Sequence, residues 1–212
     1  MTTLLRITFL FKFCFLCLIT FAQVPADIVT KMEQMIEAKQ YDQAIELGEK
    51  TAKSLREKPE KELEYIGVID NLAYAYEEKG EYLTAIPLME EVCDRIKKRF
   101  GAESVQYFST LETLAQNYKE AGNYASSEAS YLEVIRIAGN QKNIKADDYI
   151  NVLLGVSDLY LLERKFDKAE LIIQDAIAFY KKKYGSNAVN LSLLRACLKI
   201  SYRRAINPPN NH

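Results

Sequence analysis

The chain has a single histidine among its 212 residues, and it is the last one, His212. A Ser-His-Asp arrangement, a histidine metal site and a histidine general base are thereby excluded. Glycine is also scarce: there are eight, no two closer than the 13 residues between Gly67 and Gly80, which leaves no phosphate-cradling G-x-G-x-x-G or P-loop segment. Between Pro25 and Pro87 the only proline is Pro59, inside the short polar stretch Glu57-Lys58-Pro59-Glu60-Lys61. A domain boundary usually brings a longer polar or glycine-rich segment, so this one is read as a connection within a single array. Of the four cysteines, Cys14 and Cys17 form a C-x-x-C in an apolar N-terminal stretch, whereas Cys93 and Cys197 lie too far apart along the chain's repeats to meet. Both are expected to be buried free thiols.

No sign of charge dominates, with 28 basic against 29 acidic residues, so nothing attracts nucleic acid. The basic runs at Arg95 with Lys97-Lys98-Arg99 and at Lys181-Lys182-Lys183 read as cations complementing helix C-termini. Long hydrophobic runs are missing too. The N-terminal apolar stretch is broken by Lys12, and the part from Phe13 to Ala22 is ten residues long, against the roughly 20 that a spanning helix needs. With Thr20 and Ala22 before Gln23, it suits a signal peptide over residues 1–22, cleaved after Ala22. The expectation is export to the periplasm or beyond, from a bacterium, with no stable membrane insertion after cleavage. Loss of Arg6 and Lys12 lowers the 28 basic residues to 26 against the same 29 acidic ones. Glu77-Glu78, Glu90-Glu91 and Asp147-Asp148 are adjacent carboxylates, and neighbours on a helix point about 100° apart, so none forms a converging acid and base. No catalytic, cofactor-binding or metal-binding residue is expected, and the chain is not expected to be an enzyme.

What the chain does have is a repeat. Tyr76, Tyr118, Tyr160 and Tyr202 stand 42 residues apart, with Leu72-Ala73, Leu114-Ala115, Val156-Ser157 and Leu198-Lys199 before them. Six residues after the first three tyrosines come Tyr82, Tyr124 and Phe166, preceded by the turn segments Lys79-Gly80-Glu81, Ala121-Gly122-Asn123 and Arg164-Lys165. One helix ends there and a second begins; Gly80 and Gly122 suit the left-handed residue that closes a helix, a role left to Arg164 or Lys165 in the third unit. The second helices carry Ala85, Met89 and Val92, then Ser127, Tyr131 and Val134, then Ala169, Ile173 and Ala176, each set on one face. An earlier unit is visible in Ile28, Met32, Met35 and Ile36 followed by Tyr41, Ala44, Leu47 and Thr51. Leu191, Leu194, Leu198 and Tyr202 suggest a terminal capping helix, and residues 207–212 a disordered tail. Tyr65, Tyr107 and Tyr149 recur with the same period and are read as sealing the packing between repeats rather than as a ligand ladder.

Small residue, tyrosine, glycine, aromatic and alanine at these offsets resemble the tetratricopeptide repeat, and the period resembles the long repeat of kinesin light chains. Phe100-Gly101-Ala102-Glu103-Ser104-Val105 and Tyr184-Gly185-Ser186-Asn187-Ala188-Val189 are similar to that subfamily's inter-repeat turn, without its His-Pro pair. The resemblance implies an all-α, right-handed superhelical solenoid over residues 23–206. It would hold about four antiparallel helix hairpins, near 26–57, 62–99, 104–139 and 146–183, and a cap at 188–206.

It further implies a concave groove, lined by first helices, that takes a protein or peptide partner. The family offsets fall on Asp70, Asn71, Tyr74 and Glu77, on Glu112, Thr113, Gln116 and Lys119, on Leu154, Asp158 and Leu161, and on Ala196, Ile200 and Arg203. Asn71 matches the family's groove asparagine, and Thr113 and Gly155 depart from it. Asp70 and Glu112 stand where a carboxylate-clamping lysine would be wanted, which excludes a C-terminal carboxylate ligand. An acidic groove with apolar positions suits a peptide with basic and apolar parts. The alternative is a sensory or self-associating module, like the repeat arrays that precede protease-like or kinase domains.

Overall fold

A computed structural model describes residues 26–140 and 144–185, and among them every regular element is a helix. The expected signal peptide, capping helix and tail, with Cys197, Ala196, Ile200 and Arg203, lie outside the described residues. The described helices fall into two compact units that meet in sequence at Phe100 and Gly101.

The first unit holds α1 (Ala26–Glu37), α2 (Tyr41–Leu55), a single 3-10 turn at Pro59–Lys61, α3 (Glu62–Glu78) and α4 (Tyr82–Phe100). Helix α2 packs on α3 and α3 on α4, with α1 against both α2 and α3. The second unit holds α5 (Val105–Glu120), α6 (Tyr124–Asn140), α7 (Ala146–Leu162) and α8 (Phe166–Tyr184), each packed on the next. Consecutive helices joined by such short links pack as antiparallel hairpins.

The hairpin turns are closed by one repeated device. The backbone N–H of Gln40, Glu81, Asn123 and Lys165 donates to the carbonyl of Met35, Tyr76, Tyr118 and Tyr160, at 2.8 to 2.9 Å. Each bond spans a residue in the left-handed region: Lys39 at φ 59°, Gly80 at 77°, Gly122 at 78° and Arg164 at 60°. This is the capping geometry that satisfies the last helical carbonyls. Of the two residues open to the role in the third turn, Arg164 takes it. The periodic tyrosine thus contributes its carbonyl to the helix end, while its hydroxyl reaches back: Tyr76 donates to Glu49 of α2 and Tyr160 to Glu128 of α6, both at 2.8 Å.

The core is the apolar stripe read from the second helices. Ala44, Ala85 and Ala169 are fully buried, as is Ser127, whose Oγ donates to the Ala115 carbonyl at 2.8 Å and so replaces a methyl contact with a bond between α5 and α6. Small side chains there let the paired helices approach closely, and Met89, Tyr131, Val134, Ile137 and Ile173 fill the space beyond. Cys93 is buried and free, its thiol pushed up to about 12 by burial and then by Asp70, Asp94 and Glu90. It is a packing residue with no thiolate to react.

The tyrosines at the starts of the first helices do something narrower than the sealing expected of them. The buried Tyr65 donates its hydroxyl to Glu91 of α4 at 3.0 Å, under the Arg95 guanidinium 4.5 Å from its ring, and accepts from Arg56 at 3.3 Å. Tyr149 meets Phe179 of α8 edge to face at 4.9 Å. Both therefore close their own hairpin, and only the Arg56 contact joins Tyr65 to the preceding one. The acids Glu49, Glu91, Glu133 and Asp175 are themselves 42 residues apart, a periodicity that composition hides because charged residues are common.

One consequence is testable by pH. The Tyr160 hydroxyl, followed by Lys168 and Lys165, holds the Glu128 carboxylate below its ordinary value of 4.5. A carboxylate depressed by folding stabilises the folded state above its unfolded value, and that contribution is lost as pH falls through the lower folded value. The Tm difference between wild type and Glu128→Gln should therefore shrink between neutral pH and about pH 3. A difference that stays constant across that range would show that the charge of Glu128 is not what the contact uses.

Candidate functional site

On α3, Leu63, Gly67, Asp70, Tyr74 and Glu78 are half-buried or exposed and follow one another at steps of three or four, so they share one face. The same offsets recur on α5 as Val105, Ser109, Glu112, Gln116 and Glu120, and on α7 as Asp147, Asn151, Leu154, Asp158 and Leu162. The opposite faces are core, so these stripes are the accessible sides of the first helices. Six of the residues expected to line a groove lie on them: Asp70, Tyr74, Glu112, Gln116, Leu154 and Asp158.

The others lie to the side. Asn71 is 5% exposed and its amide donates to the Val29 carbonyl of α1 at 3.3 Å, so its hydrogen-bonding capacity is spent within the fold. Thr113 likewise donates to the Ser109 carbonyl of its own helix at 3.3 Å. Glu77 and Lys119, related by the repeat, are each 8% exposed, and Leu161, the third in that series, is half-buried. Lys119 Nζ reaches Asp158 at 2.8 Å and Glu120 at 3.4 Å. Burial lowers the tendency of Lys119 to hold its proton, but Asp158 and Glu120 outweigh it and the ammonium stays charged. Lys119 is thus a strut between α5 and α7, and it half-neutralises the face at Asp158.

Two stripe residues were not singled out in the sequence, Glu78 and Glu120. Glu78 accepts a long hydrogen bond from Tyr41 at 3.4 Å and neighbours the Tyr74 hydroxyl, whose proton is held more tightly by burial and then by Glu78. Extending the offsets by one turn from Tyr74 and Gln116 would have found both. The stripe is acidic at Asp70 and Glu78 on α3 and at Glu112 and Glu120 on α5, and mixed at Leu154, Asp158 and Leu162 on α7.

Away from the stripe, an open cleft of about 670 Å³ lies along α4, lined by Glu62, Pro87, Glu91, Arg95 and others. Arg95 is bound there to Glu62 at 2.8 Å and Glu91 at 2.8 Å, so the charges of the cleft are largely satisfied by one another. Among the described residues no group of three or more His, Cys, Asp or Glu is placed to hold a metal ion, and no helix is long and apolar enough to cross a membrane.

The family model for the tetratricopeptide repeat matches residues 65–140, which contain the α3 to α6 motifs described above. The chain is a tetratricopeptide-repeat protein. Its fold agrees with solved tetratricopeptide solenoids. The "kinesin light chain nearly identical TPR-like repeats" from Podosopora anserina superpose with a TM-score of 0.74 at 17% identity, over 85% of this chain and 86% of that one. BtubC (BKLC) from P. vanneervenii gives 0.70 at 16% identity, over 95% of this chain and 78% of the other. At such identities the likeness is one of fold. No curated protein matches the sequence. Tetratricopeptide repeats serve as scaffolds for contacts with other proteins, and that general role is the one this chain's repeats carry.

Proposed function

We propose that the protein is an exported tetratricopeptide scaffold that holds a peptide segment of a partner protein against the accessible stripes of its first helices. The observation that carries the reading is the character of those stripes. Their residues are half-buried or exposed, and they recur with the repeat. Acids hold Asp70 and Glu78 on α3 and Glu112 and Glu120 on α5, next to the half-buried ring of Tyr74 and, on α7, Leu154. Half-buried aromatic and apolar side chains ringed by carboxylates favour a segment carrying lysine or arginine beside apolar residues. Export rests on the N-terminal stretch of short apolar length ending Thr20-Phe21-Ala22.

The test is a crosslinking capture from envelope and secreted fractions, with the wild-type chain beside an Asp70→Lys, Glu112→Lys double variant of equal Tm. The expected result is a partner held by the first and reduced at least about tenfold with the second, since reversal of charges at an interface commonly costs more than 1.4 kcal/mol. Equal capture by both would remove the site from these stripes. In the same fractions the mature N-terminus should be Gln23.

A further inference from the structure

The α5–α7 face of the second unit contains a polar group that the fold itself does not use. Tyr131 of α6 occupies the repeat position held by Met89 and Ile173, where the neighbours are aliphatic and fully buried. It is itself only 3% exposed. Its ring points at Gly155 of α7: a β-carbon on Gly155 would lie 2.6 Å from the Tyr131 hydroxyl and 2.9 Å from the ring carbon that bears it. Gly155 sits on the accessible stripe between Asn151 and Asp158, so the hydroxyl lies directly beneath the space where a side chain would otherwise stand.

Among the described residues the hydroxyl has no hydrogen-bond partner. The charged groups that face it are Glu112 and Glu120 of α5 and Asp158 of α7, and they act on it through space. Burial first, and these carboxylates second, hold its proton more tightly than in an ordinary tyrosine, so it is a donor at any physiological pH. A buried hydroxyl without a partner costs stability that phenylalanine would not. The gap over it is one side chain wide, which admits an extended backbone more readily than a bulky group. The corresponding residues in the preceding repeats, Asn71 and Thr113, have already spent their polar groups on Val29 and Ser109.

We propose that the Tyr131 hydroxyl, reached through the gap at Gly155, donates a hydrogen bond to a main-chain carbonyl of the bound segment, and that Glu112, Glu120 and Asp158 select a lysine or arginine beside that carbonyl. Lys119 offsets one of the three carboxylates, and the surplus remains acidic. The inference rests on the scaffold reading above and names which residue of the second unit grips the peptide.

The test separates the two. Random 12-residue peptides are selected by display against the full chain, and the tightest is measured by calorimetry with wild type and with Tyr131→Phe. The variant should keep or slightly raise the Tm and lose about three- to tenfold in affinity, the range of one neutral hydrogen bond. The ring-carbon resonance of Tyr131 in the wild-type chain should shift on peptide addition, which holds the test open even if the variant folds poorly. Selected peptides should be enriched in lysine or arginine. Equal affinities or an unmoved Tyr131 resonance would overturn the Tyr131 grip while leaving the scaffold reading in place, and absence of basic enrichment would overturn the role of the three carboxylates. Failure to select any peptide would overturn the scaffold reading and this inference with it.

Discussion

Ile173→Ala should destabilise the second unit by about 2–5 kcal/mol, the range for removing three carbons of a fully buried aliphatic side chain. Ile173 has no exposed surface, and it shares its face of α8 with Ala169 and Ala176, which are equally buried. Two alanines beside it leave little side chain to collapse into the vacancy, so the cavity should persist. For a unit of this size the loss corresponds to a fall in Tm on the order of 10 °C or more. Ile173→Val, which removes one carbon, should cost about 1 kcal/mol. Because repeat arrays couple through neighbouring units, the lost protection from hydrogen exchange should be greatest in α7 and α8. Calorimetry finding the alanine variant no less stable than the valine variant would mean that Ile173 is not the anchor of that hairpin.

The second large effect has the opposite sign from what helix propensity alone expects. Glycine inside a helix is about 1 kcal/mol worse than alanine, so Gly155→Ala would stabilise α7 if only the local chain mattered. Here the new methyl would meet Tyr131 at 2.6, 2.9 and 3.1 Å. The ring is enclosed and cannot swing out to water, so relief requires α6 and α7 to move apart. Overpacking of this kind costs about 1–3 kcal/mol, and the variant should unfold at a lower temperature than wild type. Adding Tyr131→Leu should restore the propensity gain, with a coupling between the two sites of about 1–3 kcal/mol in a double-mutant cycle. A single Gly155→Ala variant more stable than wild type would show that the Tyr131 hydroxyl does not lie beneath that position.

Much of the architecture was legible because a repeat repeats its packing. A 42-residue spacing of Tyr76, Tyr118 and Tyr160, an aromatic six residues later and a small residue three before suffice to mark helix, turn and helix, since each unit must bury the same face against its neighbours. The stripe of accessible residues was partly legible for the same reason. Asp70, Glu112 and Leu154 occupy one offset and fall on the surface together, whereas Asn71, Glu77 and Lys119 lie a fraction of a turn around the helix and are drawn into the packing. A shift of one residue rotates a side chain by 100°, and no composition argument resolves that angle.

The sequence by itself determined the all-α repeat, the hairpin turns and the aliphatic stripes, because these follow from local conformation and from a periodicity in one dimension. Only the tertiary structure decided what each polar side chain does. Arg164 rather than Lys165 closes its turn at φ 60°, Asn71 is tied to Val29, Lys119 spans α5 and α7, and Tyr131 comes to rest beneath Gly155. Those roles depend on distances between residues some 24 to 42 positions apart in the chain, and a hydrogen bond exists or fails over a few tenths of an ångström, a length that sequence spacing does not encode.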